Sequence, residues 1–149
     1  MSEPLRILIA EDEALILMQL ELLLEDAGHI VVGGAATAEE AIAMAHRTQP
    51  DLVFVDLQLR DGSSGLDIVR ALRDTGGPAM VFITANARQF TNEFGGAIGV
   101  IAKPFTEAVI EDTLSFLAEC VRSPPPAMQT PLGLRLAPDY RAHLESLRA

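Results

Sequence analysis

Five short apolar runs, separated by stretches of helical periodicity, constrain the fold of this chain more than any other feature. The runs are Leu5–Ala10, Ile30–Val32, Leu52–Val55, Ala79–Ile83 and Ala97–Ala102. Strands this apolar are buried on both faces, as in a parallel sheet that carries helices on each side. Because the crossovers between parallel strands are right-handed, the alternation predicts a doubly wound α/β fold with a five-stranded parallel sheet and helices on both faces.

Amphipathic stretches between the runs predict the helices. They are Ala14–Ala27, about Thr37–Thr48, about Leu66–Arg73 and Thr106–Val121. Gly28 is a typical stop signal for the first helix, and Thr37 with Glu40 three residues later predicts a capping box. Between the fourth and fifth runs there is room only for a short or irregular helix, from about Ala87 to Phe94, whose Phe90 and Phe94 we expect to pack inward.

The charge of the chain limits its partners. Acidic residues outnumber basic ones 21 to 11, and the excess lies in the first 121 residues, which argues against direct binding of nucleic acid. There is no signal-peptide pattern and no apolar run long enough to span a membrane. The single cysteine, Cys120, excludes an internal disulfide and fits a reducing compartment. We therefore expect a cytoplasmic protein without membrane contacts.

Polar residues follow four of the predicted strands. They are Glu11 and Asp12 after the first run, Asp56 after the third, Thr84 after the fourth and Lys103 after the fifth. In doubly wound sheets the functional site forms beyond the carboxyl ends of the strands. Three carboxylates held together repel one another unless a cation lies between them, and oxygen ligands suit Mg²⁺. A carboxylate is also a nucleophile toward phosphorus, with a hydroxyl and an ammonium as donors to phosphoryl oxygens.

These five residues, with Pro104 and Phe105 after the lysine, resemble the receiver domain of response regulators in two-component signalling, a flavodoxin-like fold. The resemblance covers about residues 4–121. It implies that Asp56 accepts a phosphoryl group from a histidine kinase or phosphotransfer protein and that Lys103 and Thr84 contact it. It also implies that Asp12, Asp56 and the backbone carbonyl of Gln58 bind Mg²⁺, with Glu11 acting through water, and that the Lys103–Pro104 bond is cis. The protein would catalyse only its own phosphorylation and dephosphorylation.

One position departs from this family. An aromatic residue commonly lies three residues before the lysine, and here that residue is Val100, so an aromatic rotamer switch is not expected; we interpret Val100 as strand core. Other readings stay open: an interaction-only pseudo-receiver, and an aspartyl phosphatase that uses Mg²⁺. The phosphatase is disfavoured because Gln58 occupies the position of its second aspartate. A flavodoxin-like flavin carrier is disfavoured because acids fill the loop after the first strand.

The sequence predicts a domain boundary near Val121. Residues 1–121 form the receiver domain, and residues 122–149 form a proline-containing linker with a short helical tail. In that tail Asp139 is a candidate cap, and Tyr140, Leu144 and Leu147 form an apolar stripe that needs a surface to dock on. The tail is too small for a DNA-binding output domain. We therefore expect a stand-alone regulator that signals by binding a downstream protein, with a homodimer as one option.

Overall fold

The computed structural model describes residues 3–148 and has an α/β fold in which helices cover both faces of one sheet. Its strands are β1 (Arg6–Ala10), β2 (Ile30–Ala35), β3 (Leu52–Val55), β4 (Ala79–Thr84), β5 (Gly99–Ala102) and β6 (Leu134–Leu136). Its helices are α1 (Ala14–Asp26), α2 (Ala38–Thr48), α3 (Gly65–Arg73), α4 (Glu107–Arg122) and α5 (Pro138–Arg148). These bounds lie close to the predicted ones for the first four helices.

The strand order of the sheet is β2-β1-β3-β4-β5-β6, with β1 to β5 parallel and β6 antiparallel to β5. The prediction of a five-stranded sheet was therefore wrong by one strand within the described residues. The sixth strand is three residues long and lies in the stretch interpreted as linker, between Gly133 and Pro138. Leu134 and Leu136 are buried while Arg135 between them is exposed, the alternation of an edge strand.

Local signals in the sequence account for most helix ends. The Thr37 hydroxyl accepts a hydrogen bond from the Glu40 amide at 3.2 Å, and the Thr106 hydroxyl accepts one from the Val109 amide at 3.2 Å. Gly28, just beyond α1, has a φ of 90°, a conformation that favours glycine and ends a helix. The threonines therefore mark where α2 and α4 begin, and Gly28 marks where α1 ends.

The core has two layers, one on each side of the sheet. One layer lies between the sheet and helices α1, α4 and α5, and the other lies between the sheet and helices α2 and α3. Val100 is 2% exposed, which agrees with its interpretation as strand core. Because both faces of the central strands are covered, β3 is apolar along its whole length.

The stretch between β4 and β5 differs from the rest of the alternation. Its described residues contain a single 3₁₀ turn, Ala87–Gln89, which is shorter than the predicted irregular helix. Phe90 and Phe94 pack inward as expected, 5% and 2% exposed. The Phe90 ring lies 4.6 Å from that of Phe82 and 5.3 Å from that of Phe94, centroid to centroid. An aromatic cluster therefore anchors this stretch to the sheet.

The C-terminal segment packs against the rest of the chain. Leu144 of α5 is buried, Tyr140 is partly buried, and Leu147 is 43% exposed, so the predicted stripe is buried over its first turns. Asp139 lies inside the first turn of α5. The boundary at Val121 stays a prediction. No helix among residues 3–148 has the length and apolar character needed to cross a membrane.

Candidate functional site

The carboxyl ends of β1, β3, β4 and β5 meet at one edge of the sheet and bring the predicted site residues together. Glu11 and Asp12 directly follow β1, and Asp56 directly follows β3. The Asp56 amide donates a hydrogen bond to the Ala10 carbonyl at 2.9 Å. The parallel pairing of β1 with β3 therefore fixes Asp56 beside the acids that follow β1.

Three carboxylates form the acidic cluster of this edge: Glu11, Asp12 and Asp56. One carboxylate oxygen of each lies within 4.8 Å of one from each of the others. Glu11 is 3% exposed and Asp56 is 8% exposed, whereas Asp12 is half-buried. Three oxygens at such spacing can bind one divalent cation, and Asp12 and Asp56 border the cleft through which it would enter.

Lys103 supplies the positive charge of the site. Its Nζ lies 2.6 Å from Oε1 of Glu11 and 2.9 Å from Oδ2 of Asp56. The Lys103 amide donates to the Thr84 carbonyl at 2.9 Å, so the end of β5 is held beside the end of β4. The Lys103–Pro104 peptide is cis, as predicted. The only lysine of the chain thus lies between two of the three acids.

Burial and charge have opposite effects on the pKa values of Glu11 and Lys103. Burial raises the pKa of Glu11 from its ordinary value of 4.5 to about 7, although the hydrogen bond from Lys103 acts in the opposite direction. Burial by itself would lower the pKa of Lys103, but hydrogen bonds with Glu11 and Asp56 outweigh that effect and raise it above 10.5. Lys103 therefore stays an ammonium near neutral pH.

Thr84 lies at the end of β4 and is 1% exposed. Its hydroxyl accepts a hydrogen bond from the Asn86 amide at 3.1 Å. Thr84, Asn86 and Lys103 border the cleft beside Asp56. The cleft has a volume of about 260 Å³, enough for an ion and a phosphoryl group. Gln58, which is exposed, also lines this cleft.

Two residues of this region were not identified from the sequence. Gly65 begins α3 directly against Asp56, and a Cβ there would overlap the Asp56 carbonyl oxygen and approach Cγ1 of Val55 to 2.5 Å. Arg60 is exposed, with Nη2 3.5 Å from the carbonyl oxygen of Asp12. Gly65 belongs to a Gly/Ser loop in the sequence, so only the approach of two backbones, visible in three dimensions, distinguishes it from an ordinary loop glycine.

The site thus combines a mainly parallel α/β sheet with an acidic cluster and a lysine at the carboxyl edge of that sheet. The family model of the response regulator receiver domain matches residues 7–115. The chain therefore belongs to the response regulator receiver family.

Individual relatives agree with this assignment. The chain is 46% identical over 111 residues to the phyllosphere-induced regulator PhyR of Methylorubrum extorquens, covering 73% of this chain and 42% of that protein. It is 36% identical over 107 residues to the transcriptional regulatory protein PdtaR of Mycobacterium tuberculosis, covering 69% and 51%. The chain thus spans about half the length of these curated relatives.

Among solved structures, the receiver domain of the Erythrobacter litoralis PhyR response regulator is similar to this chain over nearly its whole length. It superposes with a TM-score of 0.69 and is 34% identical, covering 84% of this chain and 97% of that one. The likeness therefore extends over nearly the whole of an isolated receiver domain.

Proposed function

We propose that this chain accepts a phosphoryl group on Asp56 from the phosphohistidine of a histidine kinase or phosphotransfer protein. In this proposal the phosphorylated form signals by binding a downstream protein. The observation that carries the proposal is the environment of Asp56, whose Oδ2 lies 2.9 Å from the Lys103 ammonium and whose carboxylate belongs to the acidic cluster. That arrangement fits a carboxylate that accepts an electrophilic phosphoryl group better than it fits a carboxylate with a purely structural role.

In the proposed reaction an Asp56 carboxylate oxygen forms the new bond to phosphorus. The bond between phosphorus and the histidine nitrogen breaks, and its electron pair stays on the imidazole of the donor, which leaves as a neutral ring because its other nitrogen carries a proton. Positioning and charge neutralisation then do most of the work, as is general for phosphoryl transfer.

Lys103 and Thr84 are the proposed donors to the transferred group. Once Asp56 carries a phosphoryl group, the Lys103 ammonium exchanges its hydrogen bond with the Asp56 carboxylate for one with a phosphoryl oxygen. The buried Thr84 hydroxyl borders the same cleft and donates a second hydrogen bond. Charge-assisted hydrogen bonds of this kind are stronger than neutral ones, so both residues stabilise the charge that develops on the oxygens.

The residues present fit Mg²⁺. Asp12, Asp56 and the backbone carbonyl of Gln58 would hold the ion, with Glu11 acting through water. When bound, the ion supplies positive charge that neutralises the phosphoryl oxygens and the acidic cluster. The distances within the cluster support this assignment, since one oxygen of each acid lies within 4.8 Å of the others.

The remaining parts of the proposal concern the setting of the protein. The net charge of −10 favours protein partners over nucleic acid. We further propose a cytoplasmic location and no catalysis beyond the protein's own phosphorylation and dephosphorylation. A homodimer is compatible with this function and is tested by mass in solution with and without a phosphodonor.

The experiment is intact-mass measurement after incubation with acetyl phosphate, with and without Mg²⁺. Wild type is expected to gain one phosphoryl group only when Mg²⁺ is present, and Asp56→Asn is expected to gain none. Asp61→Asn is the matched control, because Asp61 is an exposed carboxylate of the loop after β3. That variant should gain the group as wild type does.

Three outcomes would contradict the proposal. An Asp56→Asn variant that takes up the group at the native rate would exclude Asp56 as the acceptor. A wild type that shows neither an adduct nor binding of beryllofluoride with Mg²⁺ would support the interaction-only pseudo-receiver instead. Continuous release of phosphate from many unrelated phosphate esters would support the phosphatase.

A further inference from the structure

The C-terminal segment, residues 131–148, covers the outer edge of β5. Within it, β6 pairs with β5 in the register Gly99↔Leu136, Val100↔Arg135 and Ile101↔Leu134. The Ala137 amide extends the pairing by donating to the Ile98 carbonyl at 2.9 Å. An uncovered strand edge is a template for pairing with another chain. The segment therefore occupies an edge that would otherwise be open to such pairing.

Apolar side chains hold the segment in place. Leu134, Leu136 and Leu144 are between 4% and 5% exposed and join the core layer formed with α1 and α4. A segment this short is marginal by itself, because a single short helix and a three-residue strand have little independent stability. Its position therefore depends on a small number of contacts with the rest of the protein. Loss of one of these contacts has a large effect on how firmly the segment docks.

One of these contacts reaches the turn that follows Thr84. The Arg135 guanidinium donates a hydrogen bond through Nη2 to the Ala87 carbonyl at 2.8 Å. The same guanidinium lies 5.3 Å from the centroid of the Phe94 ring, within the range of cation–π attraction. Arg135 thereby joins the β6 strand to the stretch between β4 and β5 at two points.

The other end of that turn is held by Thr84. The Asn86 amide donates to the Thr84 hydroxyl at 3.1 Å, and Asn86 is the residue directly before Ala87. A continuous set of contacts thus runs from the Asp56 cleft through Thr84, Asn86 and Ala87 to Arg135. A change in the hydrogen bonding of the Thr84 hydroxyl therefore acts directly on the turn whose Ala87 carbonyl accepts a hydrogen bond from Arg135.

We propose that residues 131–148 form an intramolecular cover of the β5 edge that phosphorylation of Asp56 loosens. The inference rests on the proposed function, since it requires a phosphoryl group on Asp56. When the Thr84 side chain rotates toward that group, its hydroxyl moves away from the Asn86 amide and their hydrogen bond breaks. The turn at Ala87–Gln89 then shifts. The Ala87 carbonyl then leaves Arg135, and β6 with α5 separates from β5. The edge of β5 is then left without its intramolecular partner strand.

The test is hydrogen–deuterium exchange by mass spectrometry on the full chain in Mg²⁺, with and without beryllofluoride as a phosphoryl mimic. Amides of β6 and α5 are expected to exchange about tenfold faster in its presence, an ordinary magnitude for coupling between two sites. Amides of β2, at the opposite edge of the sheet, are the internal reference and should keep their rates.

Two variants make the test independent of the mimic. Arg135→Ala is expected to speed exchange of the same amides in the unphosphorylated protein and to abolish most of the further change on adding beryllofluoride. Arg141→Ala is the matched control, because Arg141 is an exposed arginine of α5. It should behave as wild type in both conditions.

The outcomes separate the two proposals. Intact mass shows whether Asp56 takes up a phosphoryl group from acetyl phosphate, regardless of the tail. If the adduct forms and beryllofluoride binds while exchange of β6 and α5 stays unchanged, the cover is overturned and the proposed function stands. Normal exchange in Arg135→Ala likewise overturns the coupling through Arg135. If neither adduct nor beryllofluoride binding is found, the proposed function and the cover both fail.

Discussion

The Nζ of Lys103 lies 2.6 Å from Oε1 of Glu11, an acid 92 positions earlier in the chain. The contact buries an ion pair in which Lys103 and Glu11 have only 11% and 2% of their side chains exposed. A carboxylate so buried would be costly without a partner, and a second carboxylate lies beside it at Asp56. Lys103 thus compensates charge within the acidic cluster before any phosphoryl group arrives.

Replacement of Lys103 with methionine should strengthen the binding of Mg²⁺ but slow the phosphorylation of Asp56. Loss of the ammonium leaves the three carboxylates uncompensated, so Mg²⁺ should bind more tightly. Loss of the donor to the phosphoryl oxygens should slow adduct formation by about 100-fold, the usual effect of removing one such donor. Calorimetric titration with Mg²⁺ and intact-mass kinetics with acetyl phosphate measure the two properties separately.

The matched control for this variant is Arg60→Met. Arg60 is exposed, and its Nη2 is 3.5 Å from the backbone carbonyl of Asp12, so it is a nearby positive charge outside the buried ion pair. Its loss should alter both properties only slightly, because exposed charges are screened by solvent. Equal effects of the two substitutions would mean that overall charge, rather than the Lys103 contacts, governs the site.

The raised pKa of Glu11 predicts how stability depends on pH in the metal-free protein. The folded state keeps a proton on Glu11 up to a pKa of about 7, whereas the ordinary value is 4.5. Between these values the folded state binds more protons, so its stability should fall as the pH rises through that window. The loss should be on the order of 1 to 3 kcal/mol.

Urea unfolding in EDTA from pH 4.5 to 7.5 measures this dependence. Glu11→Gln cannot ionise and should flatten the profile in that window, while Glu13→Gln, at an exposed position two residues away, should leave it unchanged. Added Mg²⁺ should restore stability most at the upper end of the range. A profile that is identical in wild type and Glu11→Gln would contradict the assignment of the titration to Glu11.

Gly65 should be intolerant of even the smallest side chain. A Cβ at this position would overlap the Asp56 carbonyl oxygen, and the other close atom belongs to the β-branched side chain of Val55. Because backbone cannot rotate away as a flexible side chain can, Gly65→Ala should cost about 2 kcal/mol or more. It should also slow phosphorylation, since Asp56 itself would shift.

Gly34→Ala is the control for this substitution. Its Cβ would meet only the side-chain ends of Leu17, at 3.0 Å, and these can move aside. We expect a loss below about 1 kcal/mol and a normal rate of adduct formation. Urea unfolding and intact-mass kinetics give both quantities. A Gly65→Ala variant that phosphorylates at the wild-type rate would show that the close approach has no role in holding Asp56.

Sequence reasoning recovered the parts of this molecule that depend on strong local patterns. The apolar runs predicted all five parallel strands, because a strand buried on both faces has few polar residues to obscure it. The polar residues after those runs predicted which side chains meet, because parallel strands bring their carboxyl ends to one edge. That topology places Lys103 at the same edge as Glu11 and Asp56, whereas its hydrogen bonds with these two acids are seen only in the structure.

The parts that escaped prediction depend on contacts between distant segments. β6 has three residues between Gly133 and Pro138, too few for periodicity to identify, and it is stabilised by pairing with β5. The turn after Thr84 is shaped by packing of Phe90 and Phe94 on the sheet rather than by helix propensity. Its contact with Arg135 joins residues 48 positions apart, and no local signal encodes such a pair.

Gly133 offers a way to measure how firmly the C-terminal segment docks. Its φ is 93°, and a Cβ would lie 2.8 Å from Cγ1 and 2.9 Å from Cγ2 of Val109 on α4. Gly133→Ala should therefore combine backbone strain with a steric clash at the point where the segment enters β6. We expect the segment to lose its position on α4 and β5, and the exchange of its amides to rise.

The proper control has the same backbone strain without the clash. Gly28 has a φ of 90° and nothing within 4 Å of an added Cβ, so Gly28→Ala measures the cost of the left-handed conformation alone. The difference in unfolding free energy between the two variants isolates the contact with Val109, expected to be about 1 to 3 kcal/mol. Limited proteolysis should cleave Gly133→Ala within residues 123–148 while leaving Gly28→Ala intact there. Equal losses and equal cleavage would mean that the segment is already loose in the unphosphorylated protein, because a clash with Val109 matters only if the segment rests against α4.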